Sequence, residues 1–265
     1  MSPTPRHILI TGASSGLGAA LAAAYAAPGV RLSLGARRRE RLEETAARCR
    51  SLGADVTVAA VDVEDKETTR RWIEAAAEAA PLDLAIANAG ISAGTGGGGE
   101  SEAQARAIFA TNLAGVLNTI HPALDAMRAR PRPPAGRSAR RGQIALVSSV
   151  AGYRGMPGAP AYSASKAAVL AYGEALRGEL AADGVAVSVI CPGFVKTPMT
   201  DVNDFPMPFL MEAERAARII RRDLARDRAL ITFPWPMRLA AWWMRVLPSG
   251  LVTRLLANGP QKGGG

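Results

Sequence analysis

Residues 8–21 read ILITGASSGLGAAL: a β-rich run, a glycine-punctuated turn and an alanine-rich stretch of helical length. Gly12 permits a tight turn directly after the strand. Gly16 lets the backbone approach a pyrophosphate, whose charge the following helix N-terminus favours, and Gly18 removes a side chain where helix and sheet pack. The spacing is G-x3-G-x-G, not the G-x-G-x-x-G of the commoner dinucleotide fingerprint. Three glycines alone would also suit a crowded turn. Their place between the first strand and first helix of a βαβ unit makes a nucleotide-binding loop the better reading.

Outward from this loop the alternation continues. β-rich runs at His7–Thr11, Arg31–Gly35, Val56–Val61, Leu82–Asn88, Gln143–Ser148, Val185–Ile190 and Ala229–Phe233 are separated by stretches of helical length. Phe109, Leu113, Val116, Leu117, Ile120 and Leu124 follow the three-and-four spacing of one buried helical stripe. Strands alternating with helices predict a doubly wound α/β architecture, a seven-stranded, mainly parallel sheet covered on both faces. One domain over residues 1–265 is expected, with a short C-terminal helical extension. Arg130–Arg141 (RPRPPAGRSARR) and the Gly96–Gly99 run interrupt the rhythm, but the alternation resumes after each. The first is expected to be a solvated loop at the end of the sheet away from the glycine loop.

With 48% hydrophobic and 21% charged residues, global disorder is excluded. Two cysteines, Cys49 and Cys191, exclude a disulfide scaffold and fit a reducing compartment. No apolar run approaches the ~20 residues of a spanning helix, so a cytoplasmic protein is expected. The net charge of +9 comes from 32 basic residues, of which only Lys66, Lys166, Lys196 and Lys262 are lysines. Such a balance can serve nucleic acid or an anionic membrane. The arginine-rich insert lacks interleaved aromatics, so no nucleic-acid partner is expected. His7 and His121 have no metal-ligand spacing, and no metal is expected.

An acidic residue ~20 positions past such a glycine loop would bind the ribose 2′-hydroxyl. Here Ala36 is followed by Arg37, Arg38 and Arg39. A guanidinium pairs with a 2′-phosphate that a carboxylate would repel. Arg37 is the candidate phosphate ligand, Arg38 and Arg39 read as the start of a solvated helix, and NADP(H) is expected over NAD(H).

Downstream, Ser149 ends the fifth strand and Tyr162–Lys166 (YSASK) opens a helix, with Tyr162 and Lys166 on one face. Bringing a tyrosine down by ~3 pKa units needs ~4 kcal/mol. One ammonium at ~4 Å in an effective dielectric of ~20 supplies about that. Ser149 suits a hydrogen bond to a substrate carbonyl on which negative charge develops.

TGASSGLG (11–18), Asp62–Val63, ANAG (87–90), Asn112 in TNLAG, SSVAG (148–152), YSASK (162–166) and PGFVKT (192–197) follow one another in this order. On these pieces the chain resembles the short-chain dehydrogenase/reductase family over about residues 7 to 200. The resemblance implies an oxidoreductase that moves hydride between a nicotinamide and a carbonyl or secondary alcohol. Tyr162 would be its acid–base residue, and Lys166 would lower the tyrosine pKa and hold the nicotinamide ribose. Ser149 would orient the carbonyl, and Asn112 would order a water beside Lys166. Gly12, Ser14, Ser15, Gly16, Leu17 and Gly18 would cradle the phosphates. Asp62 and Val63 would meet the adenine, and Asn88, Ala89 and Gly90 would support the adenosine side. Pro192, Gly193, Val195 and Thr197 would embrace the nicotinamide. A homodimer or homotetramer is implied as well. The rival reading is a non-catalytic NADP(H)-binding regulator, or a membrane-associated interaction protein, on the same fold.

The chain departs from the family most clearly in its tail, ITFPWPMRLAAWWMRVLPSGLVTRLL (231–256). Met237, Ala240, Ala241, Met244 and Leu247 fall on one side of a short helix and Arg238 and Arg245 on the other, with Trp242 and Trp243 widening the apolar stripe. Leu251, Leu255 and Leu256 continue it. Such a segment packs on its own domain, closes a dimer, lies in a membrane interface through residues 235–256, or serves only the substrate pocket. Residues 198–228 are expected to form a substrate lid whose Met, Phe and Pro content suits an apolar ketone, aldehyde or lipid-like substrate.

Overall fold

All five residues of β1 (His7–Thr11) are buried, as a central parallel strand flanked by helices on both faces requires. The computed structural model describes residues 5–92, 99–131, 140–201, 203 and 206–248. After β1 come α1 (Gly16–Tyr25), β2 (Arg31–Ala36), α2 (Arg39–Ser51), β3 (Asp55–Ala60), α3 (Lys66–Ala79) and β4 (Leu84–Ala87). They are followed by α4 (Glu102–Phe109), α5 (Gly115–Arg128), β5 (Gly142–Val147), α6 (Pro160–Glu179), β6 (Val185–Pro192), α7 (Ala213–Ala225), β7 (Leu230–Phe233) and α8 (Trp235–Val246). The sheet order is β3-β2-β1-β4-β5-β6-β7. Every pairing is parallel, so the sheet is wholly rather than mainly parallel.

Period-two alternation divides the core. Ile8 and Ile10 face the layer that holds Leu21, Leu42 and Ile220, from α1, α2 and α7. Leu9 faces the other layer, with Ile73, Ile120 and Val169 from α3, α5 and α6. The chain leaves β1 toward β2 and later returns to place β4 on its other side. A crevice opens outside the strand ends at that reversal.

Within the fold, the structure corrects the sequence reading in three segments. Between α4 and α5 a π-turn spans Ala110–Ala114. The wider turn rotates the helix face, so Phe109 is exposed while Val116, Ile120 and Leu124 stay buried. The second half of the expected lid is α7, a core helix that buries Ala216, Ala217, Ile220 and Leu224. Residues 93–98 and 132–139 lie outside the described residues. The ends of the arginine-rich insert are nevertheless bound rather than solvated. Arg130 Nη1 donates to the carbonyls of Leu82 (2.8 Å) and Arg141 (2.6 Å), and Arg140 pairs with Asp227 at 2.7 Å. These contacts sit at the N-terminal edge of the sheet, the edge expected for the insert.

Candidate active site

Two loops meet at the C-terminal ends of β1 and β4. Thr11 Oγ1 accepts from the amides of Asn88 (3.0 Å) and Ala89 (3.2 Å), while Asn88 Nδ2 donates to the carbonyls of Thr11 (3.0 Å) and Gly12 (3.3 Å). Gly16 adopts φ +54°, and a Cβ there would lie 2.9 Å from Thr197 Cγ2. A Cβ on Gly18 would run into the Gly12 carbonyl oxygen. Ser15 stands at the N-cap of α1 without a side-chain cap bond, and no acidic residue occupies the first turn. That cradle of backbone amides and open space fits a pyrophosphate.

The loops border a cleft of about 450 Å³. Every catalytic and cofactor residue named from the sequence lines it, except Asn112. At the end nearest β2, Arg37 Nη1 lies 3.9 Å from Asp62 Oδ2. Arg38, read from the sequence as the start of a solvated helix, lines the cleft and donates to Ser15 Oγ at 3.5 Å. Its position depends on where α2 begins relative to the glycine loop, which no local sequence signal reports.

At the opposite end Ser149 follows β5 and its Oγ accepts from the Ala151 amide at 3.1 Å. Tyr162 and Lys166 stand one turn apart at the start of α6. The N-cap of that helix, Ala159, has no side-chain acceptor. Glu100 supplies one from a distance, both carboxylate oxygens accepting from the Ala161 amide at 3.1 and 3.3 Å. The sequence reading missed this residue, because a cap sixty-one positions away leaves no local trace.

Lys166 is buried, and its Nζ donates to the Val147 carbonyl at 3.0 Å. Burial brings its pKa down to about 8. The ammonium lies 5.8 Å from the centroid of the Tyr162 ring. Burial raises the Tyr162 phenol above its ordinary value, and only a hydrogen bond from Ser149 opposes the rise. The lowered phenol expected from the sequence is therefore not found in this arrangement: desolvation dominates, and the Lys166 ammonium is directed at a backbone carbonyl.

Asn112 is fully buried within the π-turn, behind Gly90. Its Oδ1 accepts from the Ile91 amide (2.8 Å), and its Nδ2 donates to the Ile91 carbonyl (2.9 Å) and Ser165 Oγ (3.2 Å). It thus pins the chain leaving β4 and does not face the cleft. Cys191 is buried behind the site, where burial pushes the thiol up to about 12, an inert value for a nucleophile. His7 belongs to a buried network with the Ala80 carbonyl and Ser33 Oγ, far from the cleft.

The profile of the short chain dehydrogenase family matches residues 6–205. The chain is a short-chain dehydrogenase. It is therefore an oxidoreductase, with the α/β fold its sheet shows. This short-chain dehydrogenase is 39% identical over 247 residues to an uncharacterized oxidoreductase of Myxococcus xanthus, covering 93% of this chain and 94% of that protein. It is 38% identical over 248 residues to a protein of Streptomyces violaceoruber named as a ketoacyl reductase of the granaticin polyketide synthase, covering 84% and 88% of the two. Among solved structures, an actinorhodin polyketide ketoreductase variant with NADPH superposes with a TM-score of 0.74 at 26% identity, covering 89% of this chain and 99% of that one. A short chain dehydrogenase of Mycobacterium paratuberculosis bound to NAD shares the fold, with a TM-score of 0.74 at 24% identity over 86% of this chain and 95% of that one.

Proposed function

We propose that this short-chain dehydrogenase moves hydride between NADP(H) and a carbonyl or secondary alcohol, with Tyr162 as the acid–base residue. One observation carries the reading: Ser149, Tyr162 and Lys166 line the same cleft as the glycine cradle. When bound, the nicotinamide supplies or accepts the hydride. The side chains handle the proton. Burial keeps the Tyr162 phenol protonated until charge develops on the substrate oxygen, to which it then gives its proton. Ser149 donates a hydrogen bond toward the same oxygen. Lys166, buried one turn below, is the nearby positive charge that stabilises the phenolate left behind. Asn112 and Glu100 hold the chain on which these groups stand.

Arg37 and Arg38 line the end of the cleft nearest β2, where their guanidiniums suit a 2′-phosphate. Pro198 and Met199 line the cleft beside Thr197, which favours an apolar carbonyl compound. The similarity to a protein named for ketoacyl reduction supports the direction toward ketones.

Two substitutions test this. Tyr162→Phe lowers turnover ~10³-fold and leaves NADPH affinity within a few-fold; a collapse of affinity would remove the assigned role. Arg37→Ala weakens NADPH by about tenfold or more and NADH far less, as titrations of both cofactors would show; equal losses would end the preference for NADP(H). A wild-type chain that binds NADPH tightly yet is inert toward a panel of ketones, aldehydes and alcohols would point to a regulator.

A further inference from the structure

We propose that the outward face of α8 seats this protein on an anionic lipid surface. The helix runs from Trp235 to Val246, and Trp235, Leu239, Trp242 and Val246 recur at spacings of four, three and four. With Trp243 beside them they occupy an arc of about 100° on the helix. A stripe of this kind normally faces a core. Here the side chains are 73%, 51%, 52% and 54% exposed, and Trp243 is 52% exposed. The inward side is already fixed, because Met237 Sδ occupies the space that a Cβ on Gly193 would need. The sequence let both tryptophans widen the apolar stripe and left its partner open; the structure turns them outward, in edge-to-face contact at 5.0 Å. The other exposed large apolar side chains among the described residues, Leu52, Phe109, Phe209 and Leu210, lie on other segments. Five on one short helix form a concentrated patch, the sign of a surface made to be covered.

Charge identifies what covers it. Residues 229–248 contain Arg238 and Arg245 and no Asp or Glu, in a chain of net charge +9. A second copy docked through the same face would bring two basic helices together with no carboxylate on either. Anionic headgroups complement the arginines while the apolar stripe enters the acyl boundary, and tryptophan favours that depth. No helix among the described residues is long and apolar enough to cross a membrane, so α8 would lie in the plane of the surface. Gly193 lines the cleft and α8 backs it through Met237, so docking brings the cleft wall close to lipid. Entry of an apolar carbonyl substrate from that side rests on the proposed function; docking does not.

The test is flotation of the full chain with vesicles of mixed phosphatidylcholine and phosphatidylglycerol, against vesicles of phosphatidylcholine alone. The expected result is binding about tenfold tighter to the anionic vesicles, weakened by salt and accompanied by a blue shift of tryptophan emission. The double variant Leu239→Ser, Trp242→Ser lowers that binding at least about tenfold, with NADPH affinity and circular dichroism unchanged. Arg238→Glu weakens binding to the anionic vesicles only. Failure to bind either vesicle, or equal binding by the double variant, overturns the proposal. So does light scattering in which the wild type is an oligomer that the double variant breaks apart, because a second copy then covers the face.

Discussion

At the N-terminal edge of the sheet Asp227 takes Arg140 at 2.7 Å and Arg177 at 3.0 Å, and its carbonyl accepts from Arg177 Nη2 at 3.2 Å. Asp83 there takes Arg130 at 3.2 Å and the amides of Arg6 at 2.8 Å and His7 at 3.2 Å. At the C-terminal edge, among the described residues, Arg37 and Arg38 have only long contacts, at 3.9 and 3.5 Å, and Lys166 is buried with no carboxylate against it. Both edges are rich in arginine and in strand ends, yet one binds its charges to one another and the other leaves them facing a cleft. The difference shows how one sheet treats its two edges: charge is neutralised within the chain where the loops close, and left facing the cleft where they open. Substitutions at the first edge should cost stability and leave binding alone, and those at the second should impair binding or turnover at no cost in stability.

The largest such effect on stability is expected at Asp227, which adopts φ +55°. Asp227→Ala leaves two partly buried arginines without their carboxylate and puts alanine in a left-handed conformation, a loss of roughly 3 kcal/mol. Asp227→Asn tolerates that backbone and recovers about half of it. Denaturant melts would show the loss, and an unchanged KM for NADPH would keep the two edges separate. A changed KM would break the comparison.

Next comes Lys166, whose pKa falls from 10.5 to about 8 on folding. A lysine lowered in this way opposes folding. Its cost is full below pH 8, shrinks between pH 8 and 10.5 and is gone above. Lys166→Met should therefore stabilise the ligand-free chain at pH 7 by about 2 kcal/mol while abolishing turnover. The gain should fade as melts are repeated at rising pH. A destabilised variant would mean that the bond from Nζ to the Val147 carbonyl outweighs the desolvation.

The smallest effect sharpens the boundary between the two edges. Glu100 touches no reacting group but caps the helix that carries Tyr162. Glu100→Ala should lower kcat about fivefold, the worth of one cap at ~1 kcal/mol, with KM for NADPH unchanged. Glu100→Gln keeps an acceptor for the Ala161 amide and should restore most of the rate. No rescue would show that the residue acts through its charge rather than through position.

How much of this was legible in the sequence follows from the range of each interaction. All seven strands stand where apolar, β-branched runs stand, with β1 unshifted and no strand end displaced by more than two residues. The cradle was legible because Gly12, Gly16 and Gly18 answer to steric demands within one turn. Ser149, Tyr162 and Lys166 were legible as types at fixed offsets. What stayed hidden needs partners far along the chain. The π-turn at Ala110–Ala114 lies inside a continuous helical pattern. Arg38 lines the cleft because α2 starts beside the glycine loop. Arg130 and Arg140 are bound because Asp83 and Asp227 arrive at the same edge from other crossovers. Helices α7 and α8 are both amphipathic in sequence, and only packing decides that the apolar face of α7 enters the core while the tryptophans of α8 face outward.

The sequence by itself determined the alternation of strands and helices, the nucleotide loop and the reaction class, because each rests on local sterics or on residue chemistry at short spacing. Tertiary structure alone decided which charges are neutralised, what Asn112 holds and which way the phenol of Tyr162 shifts. Those depend on burial and on distances between segments, and both come into being only when the sheet closes and water leaves.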